Sequence, residues 1–299
     1  MRRVVTTVQN PFIYPVTSHY SVYETCREGE GILLEFIFAI ILAIGIGVLA
    51  SILGVGGGFL MVPAFTLLFG LDQKMAVGTS LAVIVATSLS GSVSFVRQGR
   101  IFYRAAIVMI IPGMIGAVIG GLLTAVLPGP WLGLIFSGVI ILFAVAILSG
   151  DRTLVFPISI GPSFNEECRD CYSTCVTMRM YYLHLIAWGL FSGLIGAVCG
   201  LGGGVVNVPA LFILGMPIHF AAASSTFIIF FTSLSGAAVH LALGHILPLV
   251  ALLFAAGGFF GAQIGSRLAP MVPAESLKKI IAVMFILIAT GTIVKTILS

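Results

Sequence analysis

Two glycine-rich stretches give this sequence its most distinctive chemistry. Gly54-Val55-Gly56-Gly57-Gly58 returns as Gly200-Leu201-Gly202-Gly203-Gly204, and a proline follows five residues after each stretch. Glycine has no side chain, so a ligand can approach the backbone, and a helix that begins after such a break presents unpaired amides and a partial positive charge. The pattern favours an anion site, with close helix packing as the alternative. The predicted ligand-binding glycines are Gly54, Gly56, Gly57, Gly58, Gly200, Gly202, Gly203 and Gly204.

Small polar side chains lie near both stretches. Each stretch is followed by an apolar run that opens with hydroxyl residues, and Asn207 stands where the first copy has Met61. These hydroxyls are expected either to cap a helix or to donate to a ligand. Deeper in the same runs, an identical Thr-Ser-Leu-Ser-Gly sequence leaves open a ligand role or bonding to its own helix. The hydroxyl candidates are Thr79, Ser80, Ser224 and Ser225, followed by Thr87, Ser88, Thr232 and Ser233.

The stretches belong to a longer internal repeat. Residues 54–64 match residues 200–210 at seven of eleven positions, an offset of 146. After a one-residue slip the match continues at an offset of 145 through the Thr-Ser-Leu-Ser-Gly sequences and several glycines. Duplication explains a register kept over this distance. The glycines spaced four residues apart are expected to serve helix packing only: Gly116, Gly120, Gly261 and Gly265.

The composition places the chain in a lipid bilayer. Of its 299 residues, 59% are hydrophobic and 8% are charged, and the mean hydropathy is +1.19. Apolar runs long enough to cross about 30 Å of hydrocarbon are predicted at 32–53, 75–96, 103–127, 131–149, 182–199, 221–243, 246–269 and 277–297, with shorter arms at 58–70 and 204–216. The expected division is an extramembrane tail (1–31), a first membrane repeat (32–149), a cysteine-containing connecting loop (150–181) and a second membrane repeat (182–299).

Loop charge predicts that the two repeats are inverted. Basic residues cluster near residue 100 in the first repeat, whereas the equivalent loop of the second repeat has only His245. Near residue 273 the bias is reversed, with Arg267, Lys278 and Lys279 close by. Cytoplasmic loops accumulate Lys and Arg, so equivalent loops lie on opposite sides. The fold class is therefore predicted as all-α: a polytopic membrane protein of two inverted repeats, each with a Gly-broken helical hairpin plus three spanning helices.

The positions of the charged residues indicate what kind of ion the protein would transport. None of the ten acidic residues falls well inside a predicted span, which argues against a cation or metal carrier and favours an anion. Inverted repeats with broken helices are typical of secondary transporters. An anion channel and a membrane-embedded enzyme are the alternatives, and the spans supply almost no catalytic groups for the latter. No cofactor or nucleic-acid partner is expected, and His240, inside a span, is interpreted as a packing residue or a proton relay.

In these motifs the chain resembles the sulfite exporter TauE/SafE family, whose members have two repeats that each open with a glycine-rich stretch followed by a proline. The resemblance covers roughly residues 32–298. It implies a multi-pass protein of the cell membrane that exports a small sulfur-containing anion, such as sulfite or an organosulfonate, and it implies no enzymatic activity. A homo-oligomer is compatible with the sequence.

The connecting segment departs from the family pattern. It contains Cys168, Cys171 and Cys175 on a short stretch, a spacing that zinc or an iron–sulfur cluster accepts if a fourth ligand is found. Redox chemistry and no special role are the other two interpretations. These three cysteines are the candidate metal ligands of the chain.

Overall fold

The computed structural model describes residues 31–127, 163–169 and 175–273, together with single helical positions between 138 and 290. Within these residues the chain is almost entirely helical. Hydrocarbon offers the backbone no hydrogen-bonding partners, so a spanning segment must pair its own amides and carbonyls, as a helix does. The described helices are Gly31–Leu53 (α1), Gly58–Leu67 (α2), Gln73–Arg97 (α3), Tyr103–Val126 (α4), Tyr182–Cys199 (α5), Gly204–Ile213 (α6), Ile218–Ala242 (α7) and Pro248–Leu268 (α8).

Helix length separates full spans from half-helices. Five described helices are long and apolar enough to cross a membrane, namely α3, α4, α5, α7 and α8 with its short extension to Met271. α2 and α6 have ten residues each, or about 15 Å of helix, half of the ~30 Å hydrocarbon layer. The prediction of a multi-pass helical membrane protein with two short arms is confirmed. The spans predicted at 131–149 and 277–297 lie outside the described residues, apart from isolated positions.

The connecting segment holds more structure than the predicted loop. Strands Ser163–Arg169 (β1) and Cys175–Tyr181 (β2) pair antiparallel, from Ser163 opposite Tyr181 to Arg169 opposite Cys175. β2 leads directly into α5 at Tyr182. Apolar periodicity alone does not find this hairpin because its strands are short and mixed in polarity.

The helices of the two repeats are interleaved. α1 packs most extensively on α8 and α5 on α4, so each pair joins a helix of the first repeat to one of the second. α3 adds to the α1–α8 pair and α7 adds to the α5–α4 pair, and α3 and α7 pack on each other at the centre. The arm α2 packs on the group of α1, α3 and α8, since the ring of Phe65 in α2 meets that of Phe254 in α8 edge-on at 4.8 Å. The described helices thus form two mixed bundles, and the α3–α7 contact joins them.

Glycines let the paired helices approach closely. A Cβ on Gly261 would meet the carbonyl oxygen of Ile44, and a Cβ on Gly120 would meet that of Leu194. Gly265 and Gly116 lie in the same way against Val48 and Leu190. These are equivalent contacts in the α1–α8 and α5–α4 seams, so the packing role predicted for the four spaced glycines is confirmed.

Hydrogen bonds at the ends of α3 and α7 fix their relative direction. The amide of Leu247, just after α7, donates to Oγ1 of Thr79 in the second turn of α3 at 3.1 Å. The amide of Phe102, just after α3, donates to Oγ of Ser224 in the second turn of α7 at 3.0 Å. The end of each helix therefore lies beside the start of the other, and α3 and α7 run antiparallel.

The α1–α8 interface predicts that Gly47 and Gly45 differ in how well they tolerate an added side chain. A Cβ on Gly47 would lie 2.5 Å from the carbonyl oxygen of Gly258, whereas a Cβ on Gly45 would meet nothing within 4 Å. Gly47→Ala is expected to lower the stability of the protein in detergent by about 1–3 kcal/mol through overpacking. Gly45→Ala is the matched control and is expected to leave the thermal midpoint unchanged or slightly raised. Equal thermal midpoints for the two variants would contradict this prediction and would show that α1 and α8 can shift apart at little cost in stability.

Candidate functional site

Each glycine stretch is a break between two helices, residues 54–57 between α1 and α2 and residues 200–203 between α5 and α6. Three of the four positions in each break have left-handed backbone conformations, which cost other residues about 1–2 kcal/mol each. Only glycine occupies them. Their φ angles are 70° at Gly54, 80° at Gly56 and 88° at Gly57 in the first break, and 73° at Gly200, 64° at Gly202 and 90° at Gly203 in the second.

The two breaks touch each other in the buried interior of the described helices. A Cβ on Gly58 would collide with the carbonyl oxygen of Gly200, and a Cβ on Gly204 would lie 2.5 Å from that of Val55. All residues of both breaks are buried. The structure therefore brings the predicted glycines together, but the contact between the breaks leaves no space for a ligand between them in this conformation.

Two isoleucines lie where the breaks meet. A Cβ on Gly56 would be 3.0 Å from Cγ2 of Ile229 and 3.2 Å from Cγ2 of Ile84. A Cβ on Gly202 would be 3.0 and 3.1 Å from the same two atoms. Residue-type reasoning misses this pair because isoleucine is unremarkable in a span. The signal that finds it is the 145-residue offset between Ile84 and Ile229, the same as that of the flanking motifs.

Serine hydroxyls connect each break to the other repeat. Oγ of Ser80 on α3 donates to the carbonyl oxygen of Gly200 at 2.9 Å, and Oγ of Ser225 on α7 donates to that of Gly54 at 2.8 Å. The neighbouring hydroxyls, Thr79 and Ser224, accept the loop amides that align α3 with α7. The four predicted hydroxyls therefore contact the backbone of the opposite repeat in this structure.

The Thr-Ser-Leu-Ser-Gly motifs support the breaks from within each repeat. Oγ1 of Thr87 lies 3.2 Å from the carbonyl oxygen of Gly56, and Oγ1 of Thr232 lies 2.7 Å from that of Gly202. Ser88 and Ser233 donate to carbonyls of their own helices, at Ile84 and Phe230. Of the two roles left open for these hydroxyls, backbone bonding is the one observed, and the threonines bond to the breaks as well.

The first backbone amides of the half-helix α6 are not paired within the helix. In α6 the amides of Val206 and Asn207 donate to the carbonyl oxygen of Gly203 at 3.1 and 3.0 Å, while the amides that precede them have no partner within the helix. Pro63 and Pro209 are the prolines that follow the two glycine stretches. Each lies inside its half-helix, which continues for four more residues.

Asn207 is the unusual side chain of the second arm. It is 0% exposed, and neither its Oδ1 nor its Nδ2 has a hydrogen-bond partner. Met61, at the equivalent position of the first arm, is also 0% exposed, but its side chain is apolar and needs no hydrogen-bond partner. A buried amide without partners is unfavourable by several kcal/mol in an apolar medium. It is therefore a position where a ligand or water would bind favourably.

Charged groups in the described spans lie at the helix ends. Asp72 caps α3, where its carboxylate accepts from the amide of Lys74 at 3.3 Å. At the same end, Nδ1 of His245 lies 3.3 Å from Nδ1 of His240. The pKa of His245 is lowered mainly by burial of the ring and further by the positive charge of Lys74. The prediction that acidic residues avoid the spans agrees with these helices, and His240 packs against a second imidazole.

The cysteine segment is only partly described. Cys168 lies opposite Val176 and Cys175 opposite Arg169 in the hairpin, so the two cysteines are not cross-strand partners. Cys171 lies outside the described residues. Among the described residues, no three metal-ligating side chains lie together. The metal interpretation stays a prediction.

Curated relatives match almost the whole chain. A protein of Bacillus subtilis named as the probable membrane transporter protein YunE is 28% identical over 89% of this chain and 100% of its own length. A Sinorhizobium protein named as the probable membrane transporter protein ORF9 is 28% identical over 86% of this chain and 91% of its own. One from Methanocaldococcus jannaschii, named in the same terms, is 26% identical over 82% and 92%.

No solved structure matches the chain significantly. The model of the family described as sulfite exporter TauE/SafE matches residues 39–292, which include both breaks and every described helix from α2 to α8. The broken helices, the five full spans and the relatives' names agree with this match. The chain therefore belongs to the sulfite exporter TauE/SafE family and is a multi-pass membrane transporter, not an enzyme.

Proposed function

We propose that this transporter exports a small anion, sulfite or a related sulfur oxyanion or organosulfonate, by alternating access around the two glycine breaks. The observation that carries the proposal is the meeting of two half-helix N-termini, at Gly58 and Gly204, in the buried centre. Each such terminus carries roughly half a positive charge. The described spans place no carboxylate there to repel an anion.

The proposal includes inversion of the repeats across the membrane. Its support is that α3 and α7, which are equivalent in the two repeats, run antiparallel. Charge gives independent support. Nε2 of Gln98, at the end of α3, donates to the carbonyl oxygen of Ser266 at 3.1 Å, so the arginines near residue 100 and Arg267 lie on one side. By the positive-inside rule that side is cytoplasmic.

The moving bodies in this proposal are the two mixed bundles rather than the two sequence repeats. α1 is held to α8, and α5 to α4, by seams in which glycine faces the carbonyls of Ile44, Val48, Leu190 and Leu194. Such close backbone packing resists sliding. The α3–α7 contact between the bundles is the remaining place where motion can open a path.

The membrane potential supplies a driving force for export. An inside-negative potential favours outward movement of an anion by about 2.3 kcal/mol per charge per 100 mV. A singly charged anion can therefore leave the cell by this route without a coupling ion.

Flux measurements on the purified protein test the substrate and the mechanism. Proteoliposomes are loaded with radiolabelled sulfite, thiosulfate, sulfate or a sulfonate, and efflux is followed at two clamped potentials. We expect potential-dependent efflux of a sulfur anion that saturates and shows counterflow. Conductance far above carrier rates would favour the channel alternative, and absence of flux for all four anions would contradict the proposed substrate class.

The breaks themselves are tested with bulky substitutions. Gly57→Leu and Gly203→Leu place a side chain where a Cβ would lie 3.0 Å from Ala50 and 2.9 Å from the Ser192 carbonyl. We expect transport to fall by at least about tenfold, a barrier increase of about 1.4 kcal/mol, with membrane insertion retained. Gly99→Leu is the control because Gly99 also has a positive φ, of 65°, but no atom within 4 Å of its Cβ position. Normal transport by both break variants would place the site elsewhere.

A further inference from the structure

The second break has a polar surface that the first lacks. A Cβ on Gly203 would lie 3.5 Å from the hydroxyl oxygen of Ser192 on α5. That hydroxyl donates to the carbonyl of Gly189 at 2.9 Å, which leaves its oxygen free to accept a second hydrogen bond. Asn207 follows one turn into α6, with both amide atoms unpartnered.

The equivalent positions around the first break are apolar. A Cβ on Gly57 would lie 3.5 Å from Cγ2 of Ile46 and 3.7 Å from Cε of Met61. At the 146-residue offset, Ile46 corresponds to Ser192 and Met61 to Asn207. The methyl group of Met61 also lies 3.8 Å from the Cβ position of Gly258 on α8, so the side chain fills the space between the arm and that helix. At the equivalent glycine of the second repeat, Gly113, a Cβ would lie 2.8 Å from Cγ2 of Thr232 and 3.3 Å from the carbonyl oxygen of Gly189.

We propose that the second break alone binds the transported anion and that Asn207 contacts it with both amide atoms, Nδ2 donating to an anionic oxygen and Oδ1 accepting from a hydroxyl or amino group of the same ligand. The inference rests on the proposed function and identifies the substrate more narrowly. The free amides at the start of α6 are about 4.5 Å along the helix from Asn207, within the span of one small molecule, and they bind the other anionic oxygens.

This geometry selects the chemical class of the ligand. A fully deprotonated oxyanion only accepts hydrogen bonds, so it would leave Oδ1 of Asn207 buried and unsatisfied. A singly charged anion with its own donor satisfies both atoms. Hydrogen sulfite and a hydroxyalkyl sulfonate belong to this class, whereas sulfite dianion, sulfate and an unsubstituted alkyl sulfonate do not. No Lys or Arg occurs in α5 or α6 to balance a second charge.

Two sulfonates that differ by one hydroxyl group test the inference. Full-length protein in proteoliposomes is assayed for kcat/KM with radiolabelled ethanesulfonate and 2-hydroxyethanesulfonate. We expect wild type to favour the hydroxylated anion by at least about tenfold, since a site with buried polar groups rejects an analogue that lacks the matching group. Asn207→Leu, of similar volume, is expected to reduce the ratio to within about twofold by loss of transport of the hydroxylated anion.

Met61→Leu is the matched control at the equivalent position and is expected to keep the wild-type ratio. A wild-type ratio near one, a ratio unchanged by Asn207→Leu, or an equal change in Met61→Leu would overturn the inference while sulfonate flux upheld the proposed function. A thermal midpoint that falls in Asn207→Leu with the ratio intact would indicate a buried structural water and would also overturn it.

A wild type that carries sulfite but neither sulfonate is tested by pH. We then expect efflux to fall as hydrogen sulfite loses its proton, and Asn207→Leu to flatten this dependence. Efflux that follows the dianion would overturn the inference. Flux of sulfate or thiosulfate alone would overturn the inference and uphold the proposed function. Absence of flux for all of these anions would contradict the proposed function itself.

Discussion

Hydrogen bonds from hydroxyl groups to the carbonyls of the broken helices are the interaction on which the rest of this structure depends. A helix that breaks inside a bilayer leaves carbonyls without partners, and lipid supplies none. Ser80 and Ser225 satisfy the carbonyls of Gly200 and Gly54, and Thr232 satisfies that of Gly202. Such bonds contribute about 0.6 kcal/mol each on average in membranes, but the unsatisfied alternative would be far less favourable.

The reciprocity of the serine bonds has a structural consequence. Because each serine reaches the break of the other repeat, neither break is satisfied by its own repeat alone. The glycine seams add to this dependence, since α1 finds its close partner in α8 and α5 finds its partner in α4. The two repeats are therefore parts of one folding unit, and the unit that moves as a body need not coincide with the unit that was duplicated.

Much of this architecture follows from the sequence because membranes impose simple rules. The predicted arms, and the predicted spans that fall on described residues, lie within a few residues of the observed helices, since apolar length and glycine position fix both. The pairing of α1 with α8 does not follow, because apolar periodicity is weak when lipid and protein faces are equally hydrophobic. The sequence predicts that Ser80 and Ser225 cap a helix or donate to a ligand. Their bonds to the carbonyls of the opposite repeat depend on which helices pack together, and apolar length does not specify that.

The departures from symmetry identify where the two repeats have separate roles. Duplication supplies two equal breaks, yet only the second has Asn207 and Ser192 around it, whereas Met61 and Ile46 fill the first. Neutral donors suit a carrier, because a buried arginine would disfavour insertion by about 2.5–3.5 kcal/mol and would hold an anion too firmly to release it. An amide and free helix amides stabilise the anion while it is bound and carry no charge that must be neutralised when it leaves. In the binding mode proposed for Asn207, the apolar break provides close contact between the bundles, and the polar break recognises the anion.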